Sequence, residues 1–473
     1  MTTNKAKGIR SQHPDYIKYA PVWKKARDAA EGERAIHAAG TEYLPKLVGE
    51  IDDQYRSRKN RTPYLNCFWR TISGLKGMMF RKAPQAVVPG SIESYLTDID
   101  MAGTPLDLFA QKIAEEVLEV GRAGVLVDYP PVAEPGAQTV AQAVAGGLRP
   151  SLQRYMAEDI INWKTGRVNN ATVLTLVVLK EPFSVAADEY GHDTECRYRE
   201  LSLTPEGYRI RVFRIAQNDT DELVSESYPL MNGAPIRQIL FFFFGADDAS
   251  PTVTSPPLED LLNMNLHHYT VSADYEHGCH FSGLPTGYIA GHQKNPEDAS
   301  IGIGSLSFHC FSDPNAKMAY AEVLGNFAAL KENLEGKKSE MAVLGARMLE
   351  SQKSGVESAE TQRQRVAGEQ SQLGGMAQVI SMTMTTALGT LAQWAGANGD
   401  VSFEINRDFI PAGMTPEEMA ALLMAVQSGQ ISYQTYFDNL QRGEIIAANV
   451  TVEEEQERIL SNSRAMGSPP EAV

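Results

Sequence analysis

The chain has 473 residues, 43% hydrophobic and 22% charged, the balance of a folded protein with room for roughly two to four domains. Its formal net charge of -16 excludes a sequence-reading nucleic-acid binder, which needs a basic footprint. It does not exclude a surface past which DNA slides, because a wall that must not grip phosphates should be acidic or neutral. Four cysteines, Cys67, Cys196, Cys279 and Cys310, are scattered without a CxxC pair, so no disulfide framework is expected and a reducing compartment fits. The N-terminal segment is polar and has no apolar signal core.

In chain order, residues 13–48 read as helical with breaks, Pro21 preceding a run of good helix formers from Val22 to Ala39. Residues 63–80 place Leu65, Phe68, Trp69, Ile72 and Leu75 at helical spacing. A short helix is expected over 91–100. Thr104 and Pro105 then suit the cap and first position of a helix running to about Glu119. Gly121 and Gly124 close it, and Gly124–Tyr129 reads as a short buried strand. Residues 130–149, rich in Pro, Ala and Gly, read as a loop or insertion. From 150 to 245 the chain is mostly β, with strands at Val173–Leu179, Tyr208–Ile215 and Ile239–Phe244.

The second half reads as a helix from Leu258 to Tyr275, a mixed segment over 284–322 and a helix from Leu324 to Leu349. A flexible loop follows at 350–358, then a long helix from Ala359 to Ala395 and a strand at 401–409. Thr415-Pro416-Glu417-Glu418 is a capping box, opening two or three helices to about Leu460 before a disordered tail. The fold class is therefore α+β, mainly α-helical. Residues 370–399 carry no charge, but their glutamines, serines, threonines and glycines would insert poorly into lipid. A helix packed inside an oligomer is expected instead.

Chemistry-bearing motifs are few. No Walker A loop is present, the GIGS segment at 302–305 lacks the third glycine of a dinucleotide fingerprint, and no G-x-S-x-G elbow with partners occurs. No catalysis, cofactor or metal is expected. His267, His268, His277, Cys279 and His280 lie close together and are metal-ligand types, but their spacing matches no zinc module and favours a structural role. Asp128 ends an apolar strand, where a turn residue is commoner than a catalytic one. Gly374-Gly375 interrupts the long helix, costing about 1–2 kcal/mol in propensity. It serves either close helix packing or a bend. Lys331, Glu332, Glu335, Lys337, Lys338 and Glu340 give the 324–349 helix a polar face, which either meets bulk solvent or lines an aqueous channel.

Several blocks, taken in order, carry a resemblance. They are H-P-D-Y at 13–16 with Y-L at 43–44, R-T-P-Y-L-N at 61–66 and R-T-I-S-G-L-K-G-M-M-F-R-K-A-P at 70–84. P-P-L-E-D-L-L-N-M-N-L-H-H-Y at 256–269, S-A-D-Y at 272–275 and P-T-G-Y at 285–288 follow. S-A-E-T-Q-R-Q-R at 358–365, I-S-Y-Q-T-Y-F-D-N-L at 431–440 and E-E-E at 453–455 complete the set. From about His13 to Leu460 the sequence resembles the portal proteins of tailed bacteriophages, in particular a portal-like family of formerly unknown function.

The resemblance implies a portal fold assembled as a ring. The wing would be 1–255, the first stem helix 256–283, the clip 284–322 and the second stem helix 323–349. The tunnel loop would be 350–358, the long kinked helix 359–397, a wing return strand 398–412, the crown 413–460 and a tail 461–473. It implies a DNA channel at one capsid vertex, used for packaging, head assembly and ejection. The assembly would be a homo-oligomer, usually a dodecamer, passing double-stranded DNA non-specifically. Its partners would be the large terminase, the major capsid and scaffolding proteins, and a head–tail adaptor or tail protein, with no membrane involved. It would reside in the virion, and in the host cytoplasm during assembly. Channel and tunnel-loop contacts would fall on Lys331, Lys337, Lys338, Arg347, Ser351, Lys353 and Ser354, and the kink on Gly374 and Gly375. Adaptor contacts would fall on Tyr288, His292, Lys294, Phe308 and Phe311. Two alternatives remain: a soluble hydrolase or metal-dependent enzyme using Asp128 with a histidine from 267–280, and a phage head adaptor or scaffold without a channel.

Overall fold

The computed structural model describes residues 8–130, 148–168, 170–186, 192–283, 286–290, 315, 317–321, 327–346, 359–407, 409, 416–427, 430–442, 446, 450–455 and 457–458. Helix and strand are mixed, as an α+β fold requires. The chain divides into two units, Met1–Asn406 and Arg407–Val473.

Helix α1 (Pro14–Glu31) opens on a proline whose fixed φ suits a first turn, and His13 caps it by accepting from the Asp15 amide at 3.2 Å. The helix runs through Pro21 rather than starting after it. An interior proline costs about 3 kcal/mol, and burial of Trp23, Ala26 and Ala29 along one stripe offsets that. The break falls at Gly32, whose φ of 98° favours glycine. Helices α2 (Glu33–Ala39) and α3 (Asp52–Arg61) follow. Helix α4 (Cys67–Met79) buries Phe68, Ile72, Leu75 and Met79, and Asn66 caps it by accepting from the Trp69 amide at 2.9 Å. Strand β1 is Gln85–Val87, and the helix expected over 91–100 is a 3-10 turn, Gly90–Thr97. Helix α5 (Leu106–Val120) is capped by Pro105 without a side-chain bond, not by Thr104.

Strands β2 (Arg122–Asp128), β3 (Ser151–Met156), β4 (Ile160–Val168), β5 (Ala171–Ala186), β6 (His192–Thr204), β7 (Gly207–Ile215) and β8 (Asp221–Ser227) follow. Then come a short pair, β9 (Leu230–Met231) and β10 (Ala234–Pro235), and β11 (Phe241–Gly245). Strands β4 to β8 form an antiparallel meander, while β11-β2-β3 is a separate sheet. In the latter, Phe241 faces Leu126 and Phe244 faces Ala123. Gly124 is required there, since an added Cβ would collide with the ring of Phe241 and with Ile160.

The rest of the first unit comprises α6 (Glu259–Gly283), β12 (Thr286–Ala290), β13 (Lys317–Ala321), α7 (Ala328–Ala346), α8 (Ala359–Trp394) and β14 (Ser402–Glu404). Its core joins Phe68, Ile72 and Leu75 of α4 to Phe109, Ile113 and Val117 of α5, Val125 of β2 and Phe244 of β11, all buried. Beside it Arg27 gathers three carboxylates: Glu116, Glu119 at 3.0 Å and Glu158 at 2.9 Å. Burial outweighs the attraction of Arg27 and lifts Glu119 to about 7. The second unit holds α9 (Pro416–Gln427) and α10 (Tyr433–Arg442), with Phe437 and Leu440 of α10 buried.

Candidate functional site

Two contacts fix the relation of α6 and α7. Lys337 Nζ lies 3.2 Å from His267 Nδ1, and Gly278 is covered by the ring of Phe327, which an added Cβ would strike. Moving up α6 from His267 to Gly278 therefore means moving down α7 from Lys337 towards Phe327. The helices are antiparallel over about 16 Å at the rise of an α-helix. The adjoining strands β12 and β13 pair antiparallel, with Thr286 opposite Ala321 and Ala290 opposite Lys317.

The pair is fastened at one end. Asn265 is fully buried. Its Oδ1 accepts from the Phe68 amide at 2.9 Å and its Nδ2 donates to the Leu65 carbonyl at 2.8 Å. A mid-helix asparagine is a poor helix former, and here it ties α6 to the start of α4. Tyr269, also buried, meets Tyr64 edge-on at 5.9 Å. His268 is buried with no hydrogen-bond partner for either ring nitrogen among the described residues. Burial, and then Lys338, push its imidazole below the usual range. Further along, Ser272 and Ala273 are still buried, Asp274 is exposed, 275–280 are half-buried, and exposure is continuous only over Phe281, Ser282 and Gly283. Of the α7 side chains described, only Leu334 and Met341 are buried, seven positions apart on one stripe.

Helix α8 explains the uncharged stretch. Its hydroxyls bond back to carbonyls one turn earlier: Ser381 to Ala377 at 2.7 Å, Thr383 to Val379 at 2.8 Å and Thr390 to Thr386 at 2.9 Å. Such bonds satisfy polar groups in a buried face and tend to bend helices. Two of them also hold the returning chain. Ser381 Oγ accepts from the Ile405 amide and Thr385 Oγ1 from the Phe403 amide, both at 2.9 Å, and β14 then pairs antiparallel with β1. Helical backbone is continuous through Gly374-Gly375, so the pair does not interrupt it. Nothing lies within 4 Å of a Cβ built on either glycine, so the described residues give no close packing that requires them. Among the described residues no helix is long and apolar enough to cross a membrane.

A family model described as a domain of unknown function (DUF4055) matches residues 257–395, the span from α6 to the end of α8. No curated protein matches the chain. Among solved structures, the chain is similar to one in the virion of a native gene transfer agent particle, at 11% identity and a TM-score of 0.37, covering 93% of this chain and 100% of that one. It is also similar to one in the neck of the native particle computed with C12 symmetry (11%, 0.36, 79% and 88%) and to one in the neck of the empty particle computed with C6 symmetry (11%, 0.36, 93% and 99%).

Within the matched span, Lys331, Lys337 and Lys338 all lie on α7. Lys331 is exposed, Lys337 faces His267, and Lys338 pairs with Glu335 at 2.9 Å. Tyr288 lies on β12 opposite Ala319. Arg347, Ser351, Lys353, Ser354, His292, Lys294, Phe308 and Phe311 lie outside the described residues. The structure thus brings together the lysines and the α6 histidines, which were read as separate features. Asn265 and Gly278 were missed, although a polar residue and a glycine inside an apolar helical run are the signal that marks them.

The residues weighed for an enzyme are occupied differently. Asp128 accepts from Arg199 at 2.8 Å, and Arg199 also pairs with Glu181 at 2.8 Å, the setting of a structural ion pair. Among the described residues no group of three or more His, Cys, Asp or Glu is placed to hold a metal. His277 instead packs edge-on against Phe281 at 4.6 Å.

Proposed function

We propose that the chain is a portal subunit, a non-enzymatic ring element whose α6 and α7 stand beside those of neighbouring copies around a DNA channel at a capsid vertex. The observation that carries this reading is the antiparallel α6/α7 pair, anchored at Asn265 and Tyr269, with most described side chains of α7 exposed. A helix as solvated as α7, carrying Lys331, Glu332, Glu335, Lys338 and Glu340, gains little from burial within one copy. Side-by-side copies would cover its flanks and leave a polar strip facing water. Alternating signs on that strip would keep phosphates from adhering along the whole wall.

In this reading β12, β13 and the intervening chain form the clip that docks a head–tail adaptor, and 350–358 forms the tunnel loop. Helix α8 carries the chain back to the wing with a bend at Gly374-Gly375, and α9 and α10 belong to the crown. The ring, a dodecamer in the virion, would seat in the capsid, dock the terminase during packaging and pass double-stranded DNA. Negative-stain electron microscopy of the purified full chain tests this directly. Rings with a central hole are expected, and only monomers or dimers at every concentration would end the proposal.

A further inference from the structure

The turn between α2 and α3 spends buried charge on presenting apolar side chains to solvent. Glu50 and Arg58 form an ion pair at 2.8 Å with both side chains almost fully buried. Arg58 also donates to the Pro45 carbonyl at 2.8 Å. The Leu47 amide donates to Glu50 Oε2 at 3.0 Å, and the Glu50 amide donates to the Leu47 carbonyl at 3.0 Å. Gly49, at φ 80°, closes the turn. Arg58 holds the Glu50 carboxyl down at about 2, so the brace stays charged. The side chains it raises are Leu47, Val48 and Ile51, and Val48 is fully exposed. Rigid presentation of three apolar groups is a poor use of a buried ion pair unless something receives them.

We infer that this knob seats in an apolar cleft on a second copy of the chain. The cleft, of about 170 Å³, lies where β5, β11 and α8 meet, lined among others by Val173, Leu174, Phe241, Phe242, Pro251 and Thr383, with no charged residue in its wall. It is large enough for one branched aliphatic side chain. The surroundings complement each other in charge. Residues 46–61 hold Lys46, Arg56, Arg58, Lys59 and Arg61 against Glu50, Asp52 and Asp53, an excess of two positive charges in a chain of net charge -16. Next to the cleft, Asp247 and Asp248 are exposed, and no cation pairs with either among the described residues. Knob and cleft share no element, so their contact joins unlike patches, the arrangement that closes into a ring when the rotation between copies allows. This rests on the ring reading above and names one contact that builds it.

The test uses full-length chains. Val48→Cys and Val173→Cys proteins are mixed and mildly oxidised, with the unsubstituted protein as the control for its native cysteines. A disulfide-linked dimer is expected in the mixture and in neither variant alone. Val48→Asp, at a fully solvated position, should keep the native circular dichroism spectrum while raising the concentration needed for rings by roughly tenfold or more. Rings that form at unchanged concentration from Val48→Asp, with no cross-link in the mixture, overturn this inference and leave the portal reading standing. A cross-link in a protein that forms only open chains supports the contact and sinks the closed ring. Neither rings nor cross-link overturns both.

Discussion

Helices α5 and α7 are of similar length and opposite character. Helix α5 buries ten of its fifteen residues against α4, β2 and β11, whereas the described side chains of α7 bury only Leu334 and Met341. The first belongs to a core that one copy completes by itself. The second buries a single stripe, touches α4 as well as α6, and leaves most of its other described side chains exposed. A single copy therefore has a well-buried helix in its core and a largely solvated one in α7, and mutations in the two places should report different things.

The sharpest contrast comes from truncating core residues. Phe68→Ala removes a fully buried ring from α4 and should cost about 3–5 kcal/mol in denaturant unfolding of the first unit. Met341→Ala, on the α7 stripe, should cost less and appear first as lost amide-exchange protection in α7. Equal losses at both positions would erase the distinction. Asn265→Ala comes next. It strands the buried Phe68 amide and leaves the Leu65 carbonyl with only the Cys67 amide, for an expected loss of about 1–3 kcal/mol, and should loosen amide-exchange protection in α6 before it reaches α5.

The core carries a pH signature opposite in sign to that of buried His268 in the helix pair, whose lowered imidazole costs stability as pH falls. Glu119 is lifted from an ordinary 4.5 to about 7, first by burial. A carboxyl with a raised folded value favours the native state while protonated. Its contribution is complete below about 4.5 and disappears as pH climbs through 7. Stability should fall by about 2–3 kcal/mol over that interval, and Glu119→Gln should flatten the fall. Part of the slope will persist, because burial raises Glu116 as well. The opposite sign belongs to Glu50, held at about 2 by Arg58. Its contribution is present above 4.5 and lost as pH falls towards 2. A Glu119→Gln protein with the same pH slope as the parent would mean that Arg27 satisfies its carboxylates better than their burial implies.

What the sequence disclosed and what it hid divide along physical lines. Helices α4 and α5 were legible because Phe68, Ile72 and Leu75, and the run before Gly121, repeat at the period of a buried face. The order α6, a mixed segment, α7, α8 was legible from composition and punctuation, though not that β12 and β13 pair within it. Strand β6 was not: HDTECRYRELSLT lacks apolar alternation, and it forms a strand because β5 and β7 pair with it on both sides. There Glu200 accepts from Arg211 at 2.8 Å, a cross-strand partnership that no local window contains. The candidate site shows the same division. Its charged strip could be read from α7 alone, whereas the fastening at Asn265 depends on a backbone amide 197 residues away.

The smallest effect on stability should carry the most information about function. Lys331 is exposed on α7, and Lys331→Ala should change unfolding free energy by less than about 0.5 kcal/mol, well below any core substitution. Ring formation should also persist, since Lys331 lies in neither the knob nor the cleft proposed to join copies. If the α7 strip lines a channel, removing one cation per copy changes the potential along the wall at every position around the ring at once. The consequence should appear in DNA passage, as an altered rate and salt dependence of packaging into heads assembled with the variant. A Lys331→Ala ring that packages DNA with unchanged rate and salt response would place this face of α7 away from the duplex. A variant that unfolds easily would show instead that the helix pair depends on this side chain within a single copy, against the contrast with α5.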